Sequence, residues 1–179
     1  MRAFVLAVIT ALSFSAPAMA ALPEGAKAPL FATAAALGGK QFEFDLAGAL
    51  KKGPVVLYFF PAAFTPGCTI EANQFAEAVA DFRKAGASIL GVAGDDIAKL
   101  AKFSVEECRN KFPVGVASPA MIKGYDAGSA FGVRSNRTSY VIAPNGQIIH
   151  SYANSDYRGH VPGALKAVQD WAKAQRKAR

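Results

Sequence analysis

The chain has 179 residues, of which 52% are hydrophobic and 18% are charged. This balance predicts a globular chain with a buried core and excludes a disordered one. The formal net charge is +7, and part of the excess lies near the C-terminus, where cations complement the negative end of a helix dipole. Because no basic stretch is interleaved with aromatic residues and no nucleic-acid-binding module is recognisable, we expect no nucleic-acid partner.

The first twenty residues have the features of an export signal. Arg2 precedes the apolar run 4–14, and the segment closes on the small-x-small sequence Ala18-Met19-Ala20. A retained membrane anchor is the weaker interpretation, because a spanning helix needs about 20 apolar residues and Pro17 helps to interrupt this run. We therefore predict cleavage after Ala20, one domain over residues 21–179, a periplasmic location and no stable membrane insertion.

An N-terminal hairpin, two buried strands and an intervening helix are predicted for the first half of the domain. The hairpin strands are expected at 25–31 and 42–46, separated by the glycine pair 38–39. The unbroken apolar run Val55–Phe60 predicts a central strand that is buried on both faces. A second buried strand is predicted at 87–92. Apolar residues at helical spacing lie between the two strands: Phe75, Val79 and Phe82.

A helix, a short strand, a hairpin and a closing helix are predicted for the second half. The first helix carries one face of residues at helical spacing: Ile97, Leu100, Ala101, Ser104 and Cys108. A short strand is expected at 112–116. Strands at 138–142 and 147–152 flank the turn 144–146, whose Asn-Gly pair is typical of a tight hairpin. Helical spacing returns in Val161, Leu165, Val168 and Ala172. This order predicts an α/β domain with a mixed central β-sheet flanked by helices, which the thioredoxin-like fold fits.

The surroundings of Cys68 indicate a reactive thiol. A second cysteine, Cys108, makes one structural disulfide the default interpretation in an oxidising compartment. Cys68, however, lies where a buried strand gives way to a helix, and unpaired N–H groups and the helix dipole favour a thiolate there. Thr65 offers a hydroxyl that both donates and accepts, while Pro61 and Pro66 keep competing backbone donors away. These features suit a site that holds a peroxide oxygen against sulfur.

These residues form a recognisable signature. The spacing Pro61-x-x-x-Thr65-x-x-Cys68 resembles the Pro-x-x-x-Thr/Ser-x-x-Cys motif of the peroxiredoxins, the AhpC/TSA superfamily. Arg137, which leads into a predicted strand, resembles the active-site arginine of that family, and the segment 131–133 is also similar. The resemblance covers most of the domain and is closest to the bacterioferritin-comigratory, or PrxQ-like, branch.

The resemblance implies a role for each matching residue. Cys68 would be the peroxidatic cysteine, Thr65 and Arg137 would bind the peroxide and activate the thiolate, and Pro61 would shield the pocket. The implied activity is reduction of hydrogen peroxide and organic hydroperoxides, which serves antioxidant defence and redox homeostasis and forms a sulfenic acid at Cys68. Taken singly, Thr65 is also explained as a helix cap, Arg137 as a surface cation and Cys68 as a buried small hydrophobe.

The implied partners are a hydroperoxide and a thioredoxin-like or other thiol reductant, with no cofactor or metal, in a monomer or dimer. Many members of the branch carry a resolving cysteine five residues after the first, but this chain has Asn73 there. Other members carry it on the following helix near the position of Ser104, which makes Cys108 the candidate resolving cysteine. A buried core thiol remains the alternative for Cys108, and an enzyme with one active cysteine would then follow.

Other classes of protein fit less well. A thioredoxin-like disulfide reductase needs Cys-x-x-Cys, and Glu71 occupies the second cysteine position. A copper-delivery protein is disfavoured because His150 and His160 belong to no ligand-spaced cluster. The remaining rival is a non-enzymatic binding domain in which Cys68 and Cys108 form a permanent disulfide.

Overall fold

The computed structural model describes residues 21–129 and 134–177. The predicted export signal and the segment 131–133 lie outside the described residues. Within the described part of the chain, no helix combines the length and the apolar character that crossing a membrane requires.

Helices flank one mixed sheet. Its strands are β1 (Ala32–Leu37), β2 (Lys40–Asp45), β3 (Val55–Phe59), β4 (Ser88–Ala93), β5 (Val114–Val116), β6 (Thr138–Ile142) and β7 (Ile148–Ala153). Their spatial order is β2-β1-β5-β4-β3-β6-β7. The helices are α1 (Leu46–Leu50), α2 (Pro66–Lys84), α3 (Ile97–Glu106), α4 (Pro119–Gly124) and α5 (His160–Lys177), with a 3₁₀ turn at Tyr157–Gly159. The predicted α/β class with a mixed central sheet is confirmed.

Strand β3 forms the centre of the molecule. It pairs in parallel with β4 and antiparallel with β6, and every one of its residues is buried. Because successive side chains point to opposite faces, Val56 and Tyr58 pack in the core beneath α2, α3 and α5, whereas Leu57 and Phe59 pack on the other face with α1 and α4. Burial on both faces explains why the sequence of this strand is an unbroken apolar run.

The N-terminal hairpin exists, but its first strand was predicted in the wrong place. Strand β1 occupies 32–37 instead of 25–31, where Lys27 forms only an isolated bridge with Gln147. The alanine-rich sequence of β1 has low strand propensity, yet β1 is held on one side by β2 and on the other by β5. The expected turn is correct, since both residues of the 38–39 pair have positive φ.

Two further predictions concern the second half of the domain. The hairpin around the Asn-Gly pair is confirmed as β6–β7, and Gly146 has φ +79°. The placement of Cys108 on helix α3 is wrong, because α3 ends at Glu106 and its C-cap is Glu107. The chain then turns away through Arg109 and Asn110, whose φ values of 54° and 57° are incompatible with a continued right-handed helix.

Candidate active site

The N-terminus of α2 positions Cys68. Pro66 is the first residue of the helix, where its missing N–H does no harm and its fixed φ suits the helix. Cys68 follows in the first turn, as predicted, and its side chain is 1% exposed. Thr65 occupies the N-cap position, but its hydroxyl makes no capping bond and instead donates to the carbonyl of Ala62 at 3.0 Å. The hydroxyl oxygen therefore keeps an accepting capacity that capping would have used.

Side chains from other segments of the chain hold the loop between β3 and α2 in place. The Asp95 carboxylate accepts from the Ala63 N–H at 2.8 Å and pairs with the Lys99 ammonium at 2.6 Å. At the start of the loop, the Ser135 hydroxyl donates to the Phe60 carbonyl at 2.7 Å. Pro61 follows in this loop and is partly buried, and its shielding role stays a prediction. These contacts set the conformation of the segment that carries the predicted peroxide-binding residues.

Arg137 lies next to Cys68 although 69 residues separate them in the sequence. It directly precedes β6, and the pairing of β6 with β3 brings it to the end of β3 where the loop to α2 begins. Its Nη2 is 3.7 Å from the Cys68 Sγ, its Nε donates to the Ser155 carbonyl at 3.1 Å, and its Nη1 donates to the Glu71 carboxylate. With 8% of the side chain exposed, Arg137 is not a surface cation.

Glu71 is the functional candidate that the sequence interpretation missed. It is fully buried in α2, one turn after Cys68, and forms an ion pair with Arg137. Burial raises the pKa of Glu71 to about 8, although the guanidinium acts in the opposite direction. The sequence contained a signal for this position, because residues i and i+3 lie on the same face of a helix and Glu71 follows Cys68 by three residues. In the sequence analysis this spacing was used only to exclude a Cys-x-x-Cys motif.

His160 completes the polar cluster beneath the thiol. It is the first residue of α5, so its prediction as a helix-entry residue is correct, and it is fully buried. Its Nδ1 lies 2.7 Å from the Ser139 hydroxyl and 3.8 Å from the Glu71 carboxylate, while its Nε2 lies 3.0 Å from the Asn154 carbonyl. Burial lowers the pKa of His160 to about 4. The ring is therefore neutral at neutral pH.

Cys108 is a free, fully buried thiol in the same apolar cluster as Cys68. Burial raises its pKa, and the neighbouring Glu107 carboxylate acts in the same direction. Asn73, at the position where a nearby resolving cysteine was considered, donates to Glu107 at 3.1 Å and so ties α2 to the segment that carries Cys108. Because Cys68 is also free, the structure does not support a permanent disulfide between the two.

The fold and the site define a thioredoxin-like protein with a buried thiol at a helix N-terminus beside an arginine. The family model described as the AhpC/TSA family matches residues 25–151. The chloroplastic peroxiredoxin Q of Suaeda salsa is 33% identical over 162 residues, which cover 88% of this chain and 72% of that protein. The chloroplastic peroxiredoxin Q of Oryza sativa subsp. japonica is 36% identical over 125 residues, which cover 66% of this chain and 56% of the rice protein.

A solved structure agrees with these sequence matches. The peroxidoxin BcpB of Mycobacterium tuberculosis superimposes with a TM-score of 0.73 at 27% identity, covering 82% of this chain and 96% of that one. The chain belongs to the AhpC/TSA family. Its similarity to proteins named peroxiredoxin Q and BcpB confirms the resemblance that the motif around Cys68 indicated.

Proposed function

We propose that this chain is a thiol-dependent peroxidase that reduces hydrogen peroxide and organic hydroperoxides, with Cys68 as its nucleophile. The observation that carries this function is the Cys68 Sγ in the first turn of α2 with the Arg137 Nη2 at 3.7 Å. A guanidinium and a helix N-terminus both bring positive charge to one sulfur, which are the surroundings typical of a nucleophilic cysteine. Membership of the AhpC/TSA family supports the same activity.

In the proposed reaction, the Cys68 thiolate attacks the distal oxygen of the hydroperoxide. An S–O bond forms, the O–O bond breaks, and the released alkoxide or hydroxide takes up a proton to leave as an alcohol or water. The product at sulfur is a sulfenic acid. Thr65 would hydrogen-bond the bound peroxide, Arg137 would stabilise the charge that develops on its oxygens, and Pro61 would keep water from the sulfur.

Glu71 has a supporting part in this proposal. The guanidinium of Arg137 uses Nη1 on Glu71 and Nε on the Ser155 carbonyl, which leaves Nη2 directed at Cys68. Two fixed donors restrict the planar group to one orientation. The remaining donor is then already in place when the peroxide arrives, so little reorganisation opposes the reaction.

Turnover of the wild-type protein tests this function. Purified protein with both thiols reduced should consume about one equivalent of peroxide per chain without a reductant, and should become catalytic when a thiol reductant is added. A thiol titration before and after peroxide should show that Cys68 is lost first. A protein that starts oxidised and ignores peroxide would instead be the non-enzymatic domain.

Cys108 is proposed as the resolving cysteine. Its thiol shares an apolar cluster with Cys68, but both side chains are buried, so the bridge requires α2 to open locally. Arg109 adopts a left-handed conformation with φ 54° that costs a residue of its kind about 1–2 kcal/mol, which lowers the cost of rearranging the segment beside Cys108. Peptide mapping after one equivalent of peroxide should recover a Cys68–Cys108 disulfide. A lasting Cys68 sulfenic acid with free Cys108 would establish an enzyme with one active cysteine.

The cellular setting is proposed from the sequence. Export by the signal at residues 1–20 would place the mature chain in the periplasm, where a thioredoxin-like protein or another thiol would regenerate it. Expression of the full chain in a Gram-negative host, followed by fractionation and N-terminal mass analysis, should give a periplasmic protein that begins at Ala21. A full-length chain in the cytoplasm would contradict this location.

A further inference from the structure

His160 is a buried histidine to which the proposed reaction assigns no role. Its Nε2 lies 3.0 Å from the Asn154 carbonyl, and its Nδ1 lies 2.7 Å from the Ser139 hydroxyl. A carbonyl only accepts hydrogen bonds, so the proton of the neutral ring is assigned to Nε2, and Nδ1 accepts from Ser139. The two contacts therefore fix both the tautomer and the orientation of the ring.

The partner of His160 belongs to the turn that holds Arg137. The Asn154 N–H donates to the Arg137 carbonyl at 3.2 Å, and the carbonyl of the next residue, Ser155, accepts from the Arg137 Nε at 3.1 Å. The turn 154–155 thus contacts Arg137 through both its main chain and its side chain. Because His160 anchors this turn at Asn154, a displacement of the ring would be transmitted to the guanidinium.

We propose that His160 is a positioning residue that orients the Arg137 guanidinium toward Cys68 by holding the turn 154–155. This inference rests on the proposed peroxidase function and adds a residue on α5 to the machinery of that site. His160 touches neither the sulfur nor, on this proposal, the peroxide. Its contribution is geometric, and an error of about 1 Å at a reacting group can cost about 100-fold in rate.

The neutral form of His160 is the one that suits this positioning role. The charged and titratable groups facing it are Glu71 on α2, Arg137 before β6, His150 and Tyr152 on β7 and Asp156 before α5, with the Tyr152 ring edge-to-face at 4.8 Å between centroids. The Glu71 Oε1, 3.8 Å from Nδ1, has no hydrogen-bond partner within residues 21–129 and 134–177. A protonated ring would donate from Nδ1 to this oxygen and compete with Arg137 for the carboxylate. Burial, which keeps the ring neutral, therefore also leaves the Glu71 carboxyl to Arg137.

Variants of His160 test the proposal in the whole domain, residues 21–179, with both thiols reduced. His160→Leu removes the hydrogen bond to Asn154, and we expect the second-order rate of peroxide consumption in a single turnover to fall at least about tenfold. Alkylation of Cys68 by iodoacetamide should move to higher pH, because a displaced guanidinium stabilises the thiolate less. His160→Gln keeps a donor at the end of the side chain and should restore most of the rate and the wild-type pH profile.

Gln169→Leu is the control, since Gln169 is exposed on α5 more than two turns beyond His160 and should change neither readout. A wild-type rate and pH profile in folded His160→Leu would overturn the proposal. Equal losses in His160→Leu and His160→Gln would overturn it as well. If His160→Leu does not fold, His160→Asn replaces it. The shorter asparagine side chain places its amide at the position of Nδ1 and does not reach the Asn154 carbonyl. An inactive wild-type protein would count against the proposed peroxidase function. The role of His160 would still be decided by the pH profile of Cys68 alkylation, because alkylation needs no peroxidase activity.

Discussion

Removal of the Arg137 side chain should destabilise the protein in a manner that depends on pH. Arg137 and Glu71 form a buried ion pair, and Arg137→Ala leaves the carboxylate buried without its cation. Breaking a buried pair by removing one partner costs about 3–5 kcal/mol. Because Glu71 is ionised in the wild-type fold only above a pKa of about 8, pH 9 lies one unit above it, and the share of this cost that depends on the charge of Glu71 is about 1.4 kcal/mol. We therefore expect the free energy of unfolding to fall by at least this amount at pH 9, measured by urea denaturation.

The sign of the pH effect follows from Glu71. Burial already raises its pKa to about 8 in the presence of Arg137, and loss of the guanidinium raises it further. A carboxyl whose pKa is higher in the folded than in the unfolded state is destabilising above the unfolded value, with the penalty growing as pH rises toward the folded pKa. At pH 5 the folded variant can protonate Glu71, so Arg137→Ala should lose less stability there than at pH 9.

The double variant Glu71→Gln/Arg137→Ala supplies the control. It removes the charge that Arg137→Ala strands, so it should recover most of the lost stability at pH 9 and show little difference between the two pH values. Equal destabilisation by Arg137→Ala at pH 5 and pH 9, or a double variant no more stable than Arg137→Ala, would refute the assignment of Glu71 as a buried carboxylate paired with Arg137.

Three further substitutions have defined outcomes. Thr65→Val should slow peroxide consumption at least about tenfold, the equivalent of one lost hydrogen bond, while Thr65→Ser should not. Equal rates for Thr65→Val and the wild type in a stopped-flow assay would remove Thr65 from the site. Gly91→Ala should lower stability by about 1–3 kcal/mol, because its Cβ would lie 2.6 Å from the Tyr58 Cζ, whereas Gly94→Ala has nothing within 4 Å and should be near neutral in urea denaturation. The Tyr58 hydroxyl has no hydrogen-bond partner among the described residues, so Tyr58→Phe should leave stability unchanged or raise it by about 1 kcal/mol; a clear loss on thermal unfolding would reveal a partner.

The central elements were predictable because their local patterns are strong. The run that became β3 has no polar interruption, and the transition from this strand to α2 is marked by Pro61 and Pro66. The position of Cys68 in a first helical turn followed directly from that transition. Strand β1 was misplaced because Ala32–Leu37 carries little strand propensity of its own, and its pairing with β2 and β5 is a tertiary effect. The short helices α1 and α4 were missed because 5 and 6 residues give no readable period.

The polar network at the site was only partly predictable. The contact between Arg137 and Cys68 was expected from a family signature, because nothing local joins residues so distant in the sequence. The part of Glu71 was readable in principle from its helical spacing, whereas the contacts of His160 depend on where α5 begins relative to β6. The position of Cys108 depends on how α3 ends, and helix ends are the least certain part of a periodicity argument.

Single-turnover peroxide consumption by Cys68→Ser tests the central claim most directly. The reduced variant, mixed with one equivalent of hydrogen peroxide, should consume none above the buffer rate, because serine is not a nucleophile toward peroxide under these conditions. Cys108→Ser, measured in parallel, should complete its first turnover at the wild-type rate, since Cys108 acts only after the sulfenic acid has formed. Consumption by Cys68→Ser at the wild-type rate would contradict the assignment of Cys68 as the peroxidatic cysteine.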